Sequence, residues 1–366
     1  MIYQSLKILN FRNLVFQELF FYDKCNIFVG DNAQGKTNIL EALYLLSLTK
    51  SFKTNNINDL VNFDKDGFVL KASFIKNDYT YDLLFSYENK KKELLLNNKK
   101  IKTLKEIFGL LNIIIFIPDD LNLIKGMPGN RRKLIDIELS KIDNEYFDSL
   151  AKYYYLLKQR NIYLKNNNIE SKILDVYDKQ MLKYGHIIYQ IRKKFISHLE
   201  PLVNKYYLKI SCSDKLVNIK YQSNFMDDYE LCEMLIINNR NKDLKTMQSN
   251  VGIHRDDFIF LLNNKEVRDY GSQGEQKSII LALKLALLEY IYLITKDYPI
   301  FLLDDVLAEL DLKRQENLFK LLNNNIQTFI TTTNLEGINK EVIKNSYIYK
   351  VENGNCERVD ADEFGQ

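Results

Sequence analysis

Residues 30 to 37, Gly30-Asp31-Asn32-Ala33-Gln34-Gly35-Lys36-Thr37, have the spacing G-x-x-x-x-G-K-[ST]. Each fixed type has a chemical reason. Gly30 and Gly35 let the backbone curl until its N–H groups face phosphate oxygens. Lys36 can reach the β- and γ-phosphates of a nucleoside triphosphate, and the Thr37 hydroxyl can ligate Mg²⁺. Such a loop works between a strand and a helix whose positive N-terminus points at the anion. Ile27-Phe28-Val29 supplies an apolar strand before it, and Asn38 to Leu48 reads as a helix after it. Asp31, Asn32, Ala33 and Gln34 therefore join the fixed positions as candidate nucleotide-binding residues, with ATP and Mg²⁺ as the predicted cofactors.

A second pair of acids fits the same chemistry. The apolar run Ile300-Phe301-Leu302-Leu303 reads as a central parallel strand and ends in Asp304-Asp305. Acids at the carboxyl end of such a strand sit where ligands bind. Asp304 is then the Mg²⁺-associated carboxylate, and Asp305 positions or activates an attacking water.

Phosphate loops serve many activities, so the rest of the chain must discriminate among them. Tyr270 to Ser278 contains Ser272-Gln273-Gly274-Glu275-Gln276 and lies just before a long apolar helix, Glu275 to Ile294. Alone, this segment also reads as an ordinary helix cap. In its position before Asp304 it resembles the signature motif of ABC-type ATPases, which contacts the γ-phosphate of ATP held by the opposite subunit. Ala308-Glu309-Leu310-Asp311 resembles the D-loop of that class. The strand Ile326 to Thr331 ends in Thr331-Thr332-Thr333, where that class carries a switch His, so a Thr would have to sense the γ-phosphate. Thr37 and Gly271 are 234 positions apart. That gap is wider than in transporter subunits and far narrower than in SMC proteins.

The elements that must position these residues follow from periodicity. Tyr3–Leu9, Gly67–Phe74, Tyr79–Phe85 and Ile113–Ile117 are strand-like, and Leu94–Lys102 reads as a hairpin turning at Asn97-Asn98. From Arg131 to Glu200 the apolar residues recur at helical spacing, with a break at Asn166-Asn167-Asn168 and an end at Pro201. This predicts an antiparallel helical pair, each arm about 45 Å long at about 1.5 Å per residue. The predicted fold class is α/β: an ABC-type P-loop ATPase head of mixed sheets and helices, carrying an inserted helical arm. Residues 1–130 and 251–366 form the discontinuous head, and 131–250 the arm.

Composition bounds the partners. The 366 residues carry 27% charged and 46% hydrophobic side chains and a net charge of +3, which fits a folded protein and excludes a histone-like polycation. Any nucleic-acid contact must come from local patches. Lys90-Lys91-Lys92, Lys99-Lys100 with Lys102, Arg131-Arg132-Lys133 and Arg192-Lys193-Lys194 qualify, although each reads equally well as a solvated charged face. The four cysteines form no C-x-x-C pair, which fits a reducing cytoplasm. No membrane segment is predicted, because the run Ile279 to Ile294 is short and carries Lys284 and Glu289. The bias toward Ile, Asn, Lys and Tyr matches what an AT-rich genome imposes everywhere. His254 with Asp256 and Asp257 has metal-ligand types, but no other His is near, and a hydrogen-bonding role is preferred.

With these blocks in place the chain resembles the RecF family of bacterial recombination mediators over about residues 1 to 350. Asn10-Phe11-Arg12-Asn13 resembles an N-terminal element whose Arg faces the nucleotide in related ATPases. Ser51-Phe52-Lys53-Thr54, Phe116-Ile117-Pro118-Asp119-Asp120-Leu121, Leu157-Lys158-Gln159-Arg160-Asn161 and Gly252-Ile253-His254-Arg255-Asp256-Asp257-Phe258 resemble further blocks. Lys53 stands for an Arg and Ile253 for a Pro, both read as outside the nucleotide site. The resemblance implies a weak DNA-stimulated ATPase used as a switch. It implies a monomer that forms a head-to-tail homodimer on ATP and clamps double-stranded and gapped DNA. Each site would pair Lys36, Thr37, Asp304 and Asp305 with Ser272 and Gly274 of the partner subunit. RecR and RecO would be partners in loading RecA. The rival readings are an ABC transporter ATP-binding subunit, which the long insertion disfavours, and a small-molecule kinase, which has no use for a phosphate contact in trans.

Overall fold

The computed structural model describes residues 1–360 apart from 167, 308, 309, 323, 324 and 337. The chain opens with an antiparallel pair, β1 (Ile2–Phe11) and β2 (Leu14–Phe20), joined by the turn Arg12-Asn13. β3 (Cys25–Val29) leads through the phosphate loop into α1 (Lys36–Leu48). An antiparallel meander follows: β4 (Gly67–Lys76), β5 (Tyr79–Glu88), β6 (Lys91–Leu96) and β7 (Lys99–Lys100). β8 (Ile113–Phe116) closes this stretch. The helical stretch holds α2 (Asn122–Lys125), α3 (Pro128–Ile142), α4 (Asn144–Tyr163) and α5 (Ser171–Ser211). Next come β9 (Val217–Gln222), α6 (Tyr229–Thr246), β10 (Asp257–Leu262), β11 (Lys265–Glu266) and α7 (Val267–Tyr270). The chain ends with α8 (Gln273–Thr295), β12 (Ile300–Asp304), α9 (Leu312–Leu321), β13 (Thr328–Thr332), α10 (Lys340–Lys344), β14 (Ser346–Glu352) and β15 (Asn355–Val359).

The first compact unit comprises residues 1–120, 209–212 and 281–366. It holds two six-stranded sheets. One is antiparallel, in the order β2-β1-β4-β5-β6-β7. The other runs β15-β14-β3-β13-β12-β8 and is parallel except for the edge strand β15. The central strands β12 and β13 and the edge strand β8 are buried at every position, the pattern of a sheet covered on both faces. Tyr3 packs edge-on against Phe74 of the antiparallel sheet and Phe329 of the parallel one, so the two sheets share one aromatic core. In the parallel sheet the ends of β3, β12 and β13 lie side by side, which sets the stage for the site.

The second unit comprises residues 121–208 and 213–280. α4 and α5 run antiparallel: Arg192 donates to the Tyr146 hydroxyl, and one helical stretch further along Arg160 pairs with Asp178. Gly185 allows the close approach, since a Cβ there would meet the Phe225 and Tyr153 rings at 2.6 and 3.1 Å. The arms are unequal, 20 residues in α4 against 41 in α5, because Asp143 breaks the first stretch and caps α4 while the second continues through Pro201. Pro201 was expected to end that helix. Buried Leu199, Val203 and Tyr207 on either side hold the backbone helical across it.

Residues 251–280 group with this unit, where sequence reading placed them with the head. Pairing explains the grouping. β10 bonds to β9, Asp257 holds a bidentate bond from Arg131, and Asp256 is held by Arg192. α8 is longer than the apolar run suggested. By length and composition it is one helix, among the described residues, that could cross a membrane, yet most of it is buried inside the protein as a core helix is.

Candidate nucleotide-binding site

The phosphate loop leaves the carboxyl end of β3 and becomes α1, whose first residue is Lys36. Its curl shows in the left-handed φ of Ala33 (66°) and Gly35 (118°). Gly30 leaves no room for a side chain, since a Cβ would lie 2.1 Å from the Val351 carbonyl oxygen. The turn of the β14–β15 hairpin backs the loop, with the Gly354 N–H donating to the Gln34 carbonyl at 3.0 Å. Asn13 adds a second clamp. Its Nδ2 donates to the Gln34 carbonyl at 3.1 Å, and its Oδ1 accepts from Asn38 Nδ2 at 2.8 Å.

Lys36 is 3% exposed and held among oxygen acceptors. Its Nζ donates to the Gly30 carbonyl at 2.6 Å and the Asp31 carbonyl at 3.3 Å, with Asp305 Oδ1 at 3.8 Å. Thr37 Oγ1 donates to Asp304 Oδ1 at 2.7 Å, and Thr331 Oγ1 donates to the same oxygen at 2.9 Å. The first turn of α1 and two neighbouring strand ends thus meet on one carboxylate. Burial raises the Asp304 pKa, which the Thr37 and Thr331 hydroxyls oppose, the Asp305 charge reinforces and the Lys53 ammonium opposes. A buried carboxylate beside a hydroxyl is a hard-oxygen donor set, and a divalent cation there would relieve the cost of its burial. Thr37 and Asp304 therefore fit Mg²⁺.

Other expected residues are placed as follows. The Arg12 guanidinium does not turn to the loop. It makes a bidentate pair with Glu41 at 2.9 Å and donates to the Asp59 carbonyl at 2.7 Å, because the Glu41 carboxylate is wholly buried in α1 and needs the charge. Thr332 Oγ1 donates to the Asn334 carbonyl at 2.8 Å. Asp311 caps α9, accepting from the Arg314 N–H at 2.9 Å. Ala308 and Glu309, the rest of the expected D-loop, lie outside the described residues. In the signature segment, Ser272 and Glu275 form a capping box at the start of α8: Ser272 N–H and Oγ donate to Glu275 Oε2 at 2.8 and 2.9 Å. Gln276 Nε2 holds the Val267 and Gly271 carbonyls, while Ser272 and Gln273 stay exposed and Gly274 half-buried.

The basic candidates divide. Lys99 and Lys100 are exposed in the first unit, with Lys100 paired to Glu93 at 3.1 Å. Lys193 is exposed beside Asp227 in the second. Arg131 is not a DNA-contact residue, since it is buried and spent on Asp257 and the Leu123 and Gly126 carbonyls. Arg132 donates to the Asp256 carbonyl, and Arg192 of the last basic run is fully buried. His254 is no metal ligand. Its Nε2 faces the Ser249 carbonyl and its Nδ1 the Tyr153 hydroxyl, and among the described residues no cluster of three His, Cys, Asp or Glu could hold a metal.

Asn13 and the β14–β15 turn are the site contacts that sequence reading left out, and Glu41 is the unforeseen partner that draws Arg12 away from the loop. Asn13 sits beside Arg12 in a block already singled out, but its role depends on a contact across 21 positions.

A strand–loop–helix anion site whose Thr hydroxyl bonds to the acid ending a nearby parallel strand defines a P-loop nucleotide-binding head. The chain matches the family model RecF/RecN/SMC N terminal domain over residues 2–357. It is 42% identical to the DNA replication and repair protein RecF of Clostridium botulinum (strain ATCC 19397 / Type A), over 97% of this chain and 99% of that protein. It is 40% identical to the DNA replication and repair protein RecF of Streptococcus gordonii, over 96% of this chain and 99% of that protein. A solved structure of the recombination mediator protein RecF-ATP in the RecFOR pathway matches with a TM-score of 0.89 at 32% identity, over 98% of this chain and 97% of that one. An SMC head bound to the C-winged helix domain of ScpA shares the fold at a TM-score of 0.58 and 16% identity, over 98% of this chain and 97% of that one. The chain belongs to the RecF family.

Proposed function

We propose that this protein is an ATP-dependent DNA-binding recombination mediator acting in DNA replication and repair. The observation that carries the reading is the bond between Thr37 and Asp304 beneath Lys36, in a chain related over its full length to RecF proteins. Mg²⁺ would be held by Thr37 and Asp304, where it neutralises phosphate charge. Lys36 orients the β- and γ-phosphates, and Asp305 positions the attacking water. Hydrolysis is slow and serves as a switch.

ATP drives a head-to-tail homodimer in which Ser272 and Gly274 of the partner subunit complete each site. The exposure of Ser272 and Gln273 at the start of α8 supports this, because that helix end faces solvent, where the phosphate of a second copy can reach it. The second unit serves as the arm of a clamp on double-stranded and gapped DNA in the cytoplasm, with RecO and RecR as partners in loading RecA. Phosphate contacts from lysines such as Lys99, Lys100 and Lys193 hold the DNA without reading its sequence.

The test is light scattering with and without ATP, on gapped DNA and off it. Ser272→Arg should abolish ATP-dependent dimerisation and leave ATP binding by the monomer intact. Lys36→Arg should lower hydrolysis more than binding, because the planar fork cannot replace a compact ammonium. Normal ATP-driven dimerisation of Ser272→Arg would refute the trans site.

A further inference from the structure

Thr331 sits on β13 directly across from Asp304 on β12, and its side chain has no exposure. Its hydroxyl is used twice. It donates to Asp304 Oδ1 at 2.9 Å and accepts from the Asp305 N–H at 2.9 Å. A hydroxyl carries a single proton, so one already given to a carboxylate cannot also be given to a phosphate oxygen. Sensing the γ-phosphate would need that proton. Thr332 is likewise engaged, on the Asn334 carbonyl.

What Thr331 does hold is the exit of β12. Asp305 has φ 51°, in the left-handed region that a non-glycine residue enters at a cost of about 1 kcal/mol or more. Its N–H is fixed by the Thr331 hydroxyl, while its carboxylate stands 3.8 Å from Lys36 Nζ. One side chain therefore sets both the carboxylate of Asp304 and the backbone from which the Asp305 carboxylate projects.

We propose that Thr331 is a positioning residue for ATP hydrolysis: it aligns Asp304 and Asp305 and makes no contact with ATP. This rests on the reading of Asp305 as the residue that positions the attacking water. Serine keeps both hydrogen bonds, whereas valine keeps the shape and loses both. Losing them leaves the Asp305 N–H without its partner and Asp304 Oδ1 with Thr37 alone, and frees the Asp305 backbone to leave its strained conformation.

The test compares Thr331→Val, Thr331→Ser and Asp305→Asn by kcat and KM for ATP, by equilibrium binding of a fluorescent ATP analogue, and by thermal midpoint. Thr331→Val should lower kcat about tenfold or more with analogue affinity changed less than about threefold, and Thr331→Ser should recover at least about half of the wild-type kcat. In the Asp305→Asn background Thr331→Val should add little, because residues acting through one another are not additive. If Thr331→Val hydrolyses at the wild-type rate while Asp305→Asn is inactive, the positioning role is wrong and the role of Asp305 stands. If Asp305→Asn itself hydrolyses normally, the underlying reading fails. If Thr331→Val loses binding in proportion to kcat, Thr331 is a ligand contact and the proposal is overturned. Should the valine variant not fold, Thr331→Ser with a kcat as low as that of Asp305→Asn would overturn it equally.

Discussion

At the scale of single residues, partners decide what a side chain can do, and His254 gives the clearest case. The Ser249 carbonyl can only accept, so Nε2 carries the proton and Nδ1 accepts from the Tyr153 hydroxyl. The ring is held neutral, with its pKa pushed down to about 4, chiefly by burial, while the Ser249 bond opposes and the Arg255 and Arg132 charges add to the fall. In the unfolded chain His titrates near its ordinary 6.5, so between pH about 6.5 and about 4 the unfolded state binds the extra proton. Stability from this residue is complete above that window and is lost as pH falls through it, by about 2–3 kcal/mol. Asp256 and Asp304, with pKa values raised by burial, have the opposite sign, so the difference between proteins is the quantity to measure. Denaturant midpoints at pH 7 and pH 5 should fall more for the wild type than for His254→Gln. Equal falls would show that His254 is protonated at little cost.

At the scale of elements, local signals were legible and distant partners were not. The phosphate loop, its strand and its helix read directly from spacing because adjacent residues build all three. Asp304 read equally well as the end of an apolar run. The Arg12–Glu41 pair, the Asn13 clamp and the β14–β15 turn beneath the loop join segments far apart in sequence, and no periodicity announces them. The hairpins show composition at work. Asn77-Asp78, Asn89-Lys90, Asn97-Asn98, Asn263-Asn264 and Asn353-Gly354 each take positive φ at both positions, so in a chain with only 13 glycines Asn does what Gly usually does in two-residue turns. An Asn bias that codon usage explains is here also structural. Pro201 shows the converse: a local breaker loses to tertiary packing. Interior proline costs a helix about 3 kcal/mol against alanine, and the looser unfolded chain of the alanine variant gives back about 1. Pro201→Ala should therefore raise the thermal midpoint by several degrees. A lower midpoint would mean that the packing of Leu199 and Val203 depends on a bend at the proline.

At the scale of the whole molecule, the net charge of +3 bears on the proposed DNA contact. Two arginines of the candidate basic patches, Arg131 and Arg192, are internal and buried in ion pairs with aspartates, as Arg160 is too. What remains for phosphate contact is mainly exposed lysine, much of it beside an acid, as Lys100 is beside Glu93 and Lys193 beside Asp227. A surface with so little uncompensated charge releases few counterions when it meets DNA, so a single copy should bind weakly. If ATP closes two copies as proposed, the contacts double and the second set becomes intramolecular, which would raise affinity without any new chemistry. The slope of log affinity against log salt should therefore steepen about twofold when ATP is added, with weak binding in its absence at about 0.15 M salt. Fluorescence anisotropy of gapped DNA across a salt series, with and without ATP and with Ser272→Arg as the variant that cannot close, measures both slopes. A Ser272→Arg protein with the steep slope, or a wild type whose slope ignores ATP, would mean that DNA is held by a patch on one copy and that closure does not control it.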